Sequence, residues 1–159
     1  MHVNKSDFIV IVHDLRSVHN VASIFRTADA VGVDKIYLTG TSPAPKDRFG
    51  RWRRDFAKVS LGAERSVAFE QGEIDAVISQ LKSAGYHIFA LEQNKNSINY
   101  KTAPKHRKFA LIVGNEPDGI DGQTLGLADT ILEIPMCGEK ESLNVSVAFA
   151  VAAYSLAGL

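Results

Sequence analysis

A chain of 159 residues with 45% hydrophobic and 23% charged side chains is long enough to bury a core as one domain, which excludes disordered and collagen-like classes. Its 18 Lys and Arg balance 18 Asp and Glu, so no global charge excess drives it onto nucleic acid, and the lone Cys137 excludes an intrachain disulfide. No basic-then-apolar leader opens the chain, and the apolar run from Val145 to Leu159 is too short for a roughly 20-residue membrane span, so a cytoplasmic protein without a membrane segment is expected.

Asp7 to His13 is a short, β-branched, nearly continuous apolar run, the pattern of a strand buried on both faces. From Val18 the period changes. Val18, Val21, Ala22, Phe25, Ala28 and Val31 share one face of an amphipathic helix that Gly32 ends. Lys35 to Leu38 predicts a second strand. Residues 46 to 58 then hold six basic and two acidic side chains, with Phe49, Trp52 and Phe56 threaded among them. Such a segment suits phosphates and stacked bases, and equally a solvated loop; Trp52 and Phe56, four apart, also fit a buried helix face. Ile74, Val77, Ile78 and Leu81 predict another helix, stopped by Gly85. Three further apolar runs follow, Tyr86 to Leu91, Phe109 to Val113 and Thr130 to Ile134. Between the first two, residues 95 to 108 hold five basic side chains, His106 and no acid, so 11 of the 18 cations sit in two segments, the only plausible linkers. The final helix is apolar on almost every side. Strands alternating with helices predict a single α/β domain over residues 1–159, with a mainly parallel sheet flanked by helices.

Ligands of such sheets bind beyond the carboxyl ends of strands, where three polar loops lie: "HDLRSVHN", "GNEPDGIDG" and "MCGEKESLN". The usual phosphate cradles are absent. There is no GxGxxG, and the P-loop spacing of Gly114 and Gly119 is followed by Ile120 and Asp121 where Lys and Ser or Thr are needed. GxSxG, HExxH and paired Cys or His at metal-ligand spacing are missing too; His13 and His19 read as a capping or packing pair, and no metal is expected.

Taken together, the three loops resemble a known family. "HNVASIFRTADAVGVDKIYL" resembles its first motif, "ALIVGNEPDGI" its second, and "IPMCGEKESLNVSVAFAVAAY" its third, in the correct order along essentially the whole chain. The family is the SpoU (TrmH) group of RNA 2′-O-ribose methyltransferases in the SPOUT superfamily. The resemblance implies an α/β fold with a deep C-terminal trefoil knot, S-adenosylmethionine as cofactor, tRNA or rRNA as substrate, and a homodimer. Two departures stand out: the "VASIF" run replaces a Gly common in the first motif, and Pro117 and Asp118 follow the Glu of the second. Only six residues precede the first strand, so RNA contacts are expected from the catalytic domain itself or from a partner.

Carried over position by position, the resemblance implies that Leu91, Gly114, Ile134, Met136 and Leu143 surround the cofactor and that Asn20, Arg26, Glu116, Ser142 and Asn144 serve the reaction. Because a guanidinium stays protonated, Arg26 suits phosphate clamping or alkoxide stabilisation better than proton abstraction, whereas Glu116 is either the proton acceptor or an orienting group. Arg48, Arg51, Arg53 and Arg54 are the expected RNA contacts. The last helix has more apolar circumference than one sheet face covers, which points to a second subunit. Two other readings stay open: a non-catalytic knotted RNA-binding or ribosome-assembly factor, and a small-molecule α/β enzyme. Cys137 as a base-attacking nucleophile lacks any partner signature.

Overall fold

The computed structural model describes residues 5–115 and 118–159. Strands β1 (Asp7–His13), β2 (Lys35–Thr39), β3 (Ala68–Gly72), β4 (His87–Leu91), β5 (Ile98–Asn99), β6 (Lys108–Gly114) and β7 (Thr130–Glu133) form one sheet in the order β3-β2-β1-β6-β4-β7-β5. Every pairing among them is parallel. All seven carboxyl ends therefore share one edge, and the loops leaving that edge build the candidate site.

The continuous apolar runs in β1 and β6 arise because both faces are covered. Phe8, Val10 and Val12 of β1, with Phe109, Leu111 and Val113 of β6, face a core completed by helices α1 (Val18–Val31), α2 (Arg54–Ser60) and α6 (Val145–Leu156). Ile9, Ile11, Ala110 and Ile112 face the opposite core, with Val77, Ile78 and Leu81 of α4 (Ile74–Ser83). Burying each large apolar side chain is worth about 1.5–3 kcal/mol, so the central strands anchor both layers. Helix α1 begins at Ser17, whose Oγ accepts from the Asn20 amide at 3.1 Å, and ends at Gly32, whose left-handed φ of 84° lets its N–H reach Ala28 O. These boundaries follow the predicted ones.

The basic segments are not linkers. Residues 46–58 contain a turn closed by the Lys46 and Trp52 bridge, followed by α2, whose Phe56 is fully buried edge-on against Phe25 at 5.2 Å. Trp52 stays outside that helix, half-buried, and meets Phe69 of β3. The second segment holds β5 and a short 3₁₀ turn, Tyr100–Thr102. Two more short helices, α3 (Ala63–Ser66) and α5 (Gly122–Leu127), complete the chain.

Candidate active site

A cavity of about 370 Å³ opens at the carboxyl edge of β4, β6 and β7. Leu91, Gly114, Ile134, Met136 and Leu143, the five positions anticipated around a cofactor, all line it, together with Ser142. Its walls mix apolar side chains with two carboxylates, Glu92 and Glu133, and among the described residues no Lys or Arg lines it. An amphipathic ligand with net positive charge fits this lining.

Hydrogen bonds fix the cavity's rim. Glu92 Oε2 accepts from the Ile120 amide at 2.9 Å, tying the loop after β6 to the end of β4. Gln93 Nε2 donates to Glu141 O at 2.8 Å, holding the loop that precedes α6. Asn144 is the α6 N-cap: its Oδ1 accepts from the Ser146 amide at 2.9 Å while its Nδ2 donates to Asn20 Oδ1 at 3.2 Å. The capping role and the union of the first and third motifs thus coexist in one side chain. Asn144→Ala should lose about 1 kcal/mol of stability through the missing cap. Asn144→Asp keeps an acceptor for the cap and removes the donor to Asn20, so chemical denaturation should separate it from Asn144→Ala by that amount.

Arg26 lies elsewhere. It is exposed six residues along α1 from Asn20, in an open groove also lined by His19, Ser23, Lys58, Ala150 and Tyr154. The cofactor-sized cavity meets α6 at Val145 and Ala148, whereas this groove meets it at Ala150 and Tyr154. At 3.6 residues per turn these pairs fall on opposing flanks of the helix, so α6 separates Arg26 from the cavity of its own chain. Glu116 and Pro117 lie outside the described residues.

The four arginines of the basic segment are not equivalent. Arg53 forks onto Asp55 through Nε at 3.1 Å and Nη2 at 2.8 Å, and Arg51 Nε approaches Asp47 at 3.3 Å. The Arg53 guanidinium holds the Asp55 carboxyl below the usual carboxylate range. Among the described residues neither Arg48 nor Arg54 has a carboxylate within ion-pair reach.

His13, the last residue of β1, is buried with Nδ1 2.8 Å from Thr39 Oγ1 and Nε2 3.4 Å from Asp14 and 3.6 Å from Asp121. Asp121 caps α5, and the Thr124 amide it accepts holds its carboxyl below the ordinary range, with the Thr124 hydroxyl and His13 acting in the same direction. This cluster braces the loops after β1, β2 and β6; among the described residues no group of three His, Cys, Asp or Glu side chains could hold a metal. Cys137 is exposed on the loop before α6. Glu92, Gln93, Asn115 and Glu133 also line the cavity and were not singled out from the sequence, although Glu92, Gln93 and Asn115 follow the ends of β4 and β6 and so satisfied the strand-end rule.

A family model described as the SpoU rRNA Methylase family matches residues 7–154. The tRNA (guanosine(18)-2′-O)-methyltransferase of Escherichia coli K12 is 32% identical over 151 residues, covering 94% of this chain and 62% of that protein. The 23S rRNA (guanosine(2553)-2′-O)-methyltransferase RlmP of Bacillus subtilis 168 is 30% identical over 151 residues, with 94% and 58% covered. This chain thus spans about three-fifths of the length of these relatives. The crystal structure of an AdoMet-bound rRNA methyltransferase from Sinorhizobium meliloti superposes with a TM-score of 0.87 at 24% identity, over 98% of this chain and 57% of that one, which establishes the shared fold.

Proposed function

This chain belongs to the SpoU rRNA methylase family, and we propose that it transfers a methyl group from S-adenosylmethionine to a ribose 2′-hydroxyl of tRNA or rRNA. The observation that carries this reading is the cavity, where the five positions implied by the family resemblance converge with Ser142 on one pocket of suitable size and charge. When bound, the cofactor supplies an electrophilic methyl on a sulfonium, and its net positive charge matches a lining that holds Glu92 and Glu133 and no described cation. Gly114 lets the turn at Gly119 and Ile120 pack against the end of β6 as one wall of the cavity, and Leu91, Ile134, Met136 and Leu143 exclude water from a bound ligand. The chain's remaining tasks are to align the ribose oxygen in line with the methyl, accept the hydroxyl proton, and stabilise the developing alkoxide. Arg26 takes the last role or clamps the adjoining phosphate, Ser142 and Asn144 shape the entrance, and Glu116 is the candidate proton acceptor.

A homodimer forms part of this proposal. Val147 and Tyr154 of α6 are 50% and 42% exposed, and with Ala150 and Val151 they make an apolar stripe beside the groove that contains Arg26. A second copy docking there buries the stripe and supplies Arg26 to the partner's cavity, which explains why each chain keeps the two apart. The trefoil knot and the cytoplasmic setting belong to the same reading.

Ribose-methylation mapping of total RNA with and without the gene, followed by methyl transfer to the candidate RNA in vitro, tests the activity. One lost site restored by the protein and S-adenosylmethionine is the expected result; RNA binding without cofactor binding in a calorimetric titration would instead support the non-catalytic factor. Charge reversal at Arg48 and Arg54, the two arginines of the basic segment with no carboxylate in ion-pair reach among the described residues, should weaken RNA binding in a salt-dependent manner and leave cofactor affinity unchanged. Equal binding by the reversed variant would remove this surface from RNA recognition.

A further inference from the structure

The segment from Lys46 to Trp52 presents a side chain that the fold does not use. Phe49 is 65% exposed, whereas Phe25, Phe56, Phe89, Phe109 and Phe149 are fully buried or nearly so. Its position is built, not accidental. Asp47 Oδ1 accepts from the Phe49 amide at 2.8 Å and from the Arg51 amide at 3.0 Å, the Asp47 amide donates to Arg51 O at 2.8 Å, and the Gly50 amide donates to Asp47 O at 3.0 Å. Gly50 takes a φ of 76°, which makes the turn this tight. The Lys46 and Trp52 bridge closes its base, and Lys46 and Arg65 lie over the Trp52 ring at 4.6 and 4.5 Å. At the tip, the Arg48 and Arg51 guanidiniums stand 4.8 and 5.0 Å from the Phe49 ring centroid.

The geometry points to Phe49 as a stacking platform for an unpaired RNA base, with Arg48 and Arg51 receiving the flanking phosphates; this rests on the RNA methyltransferase reading and narrows its substrate to a single-stranded or looped region. An ordered turn holds the ring in solvent before any ligand arrives, so little entropy is lost on contact. The ring offers a flat apolar face and the guanidiniums offer paired donors for anionic oxygens, a combination that matches base and phosphate on one strand. The only acid in the turn, Asp47, keeps its charge but accepts from main-chain amides and pairs with Arg51 Nε at 3.3 Å, which offsets its repulsion of a phosphate at Arg48 and leaves Arg51 the secondary phosphate contact of the two. Base-paired RNA does not fit: its bases are already stacked on one another, and its deep, narrow major groove keeps side chains out.

The test uses the full chain with a single-stranded RNA oligonucleotide carrying one 2-aminopurine, and with the same sequence in a duplex. The parent should quench 2-aminopurine fluorescence on binding the single strand. Phe49→Ala should lose the quenching and about ten-fold or more in single-strand affinity, Phe49→Trp should restore both, and the salt slope should stay the same. Arg48→Ala should instead lower the single-strand salt slope by about 0.7. Single-strand affinity and quenching unchanged in Phe49→Ala, or an equal loss on the duplex, overturns the platform while leaving methyl transfer by the parent intact. Binding of an acidic peptide with no quenching of the RNA probe would assign the turn to a protein partner and overturn it as well. A parent that neither binds S-adenosylmethionine nor methylates RNA removes the underlying reading together with the platform.

Discussion

Arg26→Ala should lower methyl transfer by about 10²–10³ while the protein remains folded and its cofactor affinity stays that of the parent. The stability half of this expectation follows from exposure: Arg26 projects from α1 beside Ser23 and Thr27, and the helix is held by Val21, Ala22, Ile24, Phe25 and Ala28 on its buried face. The activity half follows from charge. A 2′-hydroxyl losing its proton leaves negative charge on oxygen, and among the residues singled out on α1 only Arg26 carries a permanent positive charge. Cofactor affinity is the control, because α6 lies between Arg26 and the cavity of the same chain. Single-turnover transfer, thermal denaturation and a calorimetric titration measure the three quantities. Transfer within a few-fold of the parent would take Arg26 out of the reaction.

Legibility in the sequence tracked how strongly burial constrains each segment. β1, β6 and α1 could be read because one rule determines nearly every residue: both faces of β1 and β6 are covered, and one face of α1 is. β3 could not, since Ala68–Gly72 is an edge strand whose residues are largely exposed and follow no alternation. α5 carries Gly122 and Gly126 in six residues, a composition that argues against a helix, and depends on the Asp121 cap instead. β5 has two residues and no period to read. In α2 the single fully buried aromatic, Phe56, sits among cations that favour a loop reading, and the pairing of Arg53 with Asp55 depends on how that helix starts.

The candidate site divides along similar lines. Leu91, Gly114, Ile134, Met136 and Leu143 were implied by the family resemblance alone, and they meet at one cavity because strand ends bring such residues to one edge in any parallel sheet. The separation of Arg26 from the cavity was not legible, because it depends on which flank of α6 each opening meets. Phe49 likewise reads as one more aromatic in a basic run until the Asp47 turn shows it held in solvent.

Gly114→Ala should abolish measurable cofactor binding, and it tests the cavity as directly as Arg26→Ala tests the reaction. A Cβ at position 114 would lie 2.4 Å from Ile120 Cγ1, 3.1 Å from Ile120 N and 3.2 Å from Gly119 C. Two of these atoms are main chain, in a turn that cannot easily retreat. The Gly119 amide donates to Asn115 O at 2.6 Å, Gly119 takes a φ of 67°, and Glu92 Oε2 holds the Ile120 amide. Relief therefore requires moving the turn that forms one wall of the cavity, at about 1–3 kcal/mol of stability from overpacking. Gly126→Ala, where a Cβ meets nothing within 4 Å and the site is helical, should be neutral or stabilising and serves as the control. The two inactive variants together decide how the site is assembled. If Arg26 serves the partner's cavity, an equimolar mixture of Arg26→Ala and Gly114→Ala, re-equilibrated through dissociation, recovers about a quarter of the parent's sites. Half the dimers are then mixed, and in each of them one site unites the intact cavity of one chain with the intact arginine of the other. If each chain used its own arginine, no site in the mixture would be whole and activity would stay at the level of the separate variants.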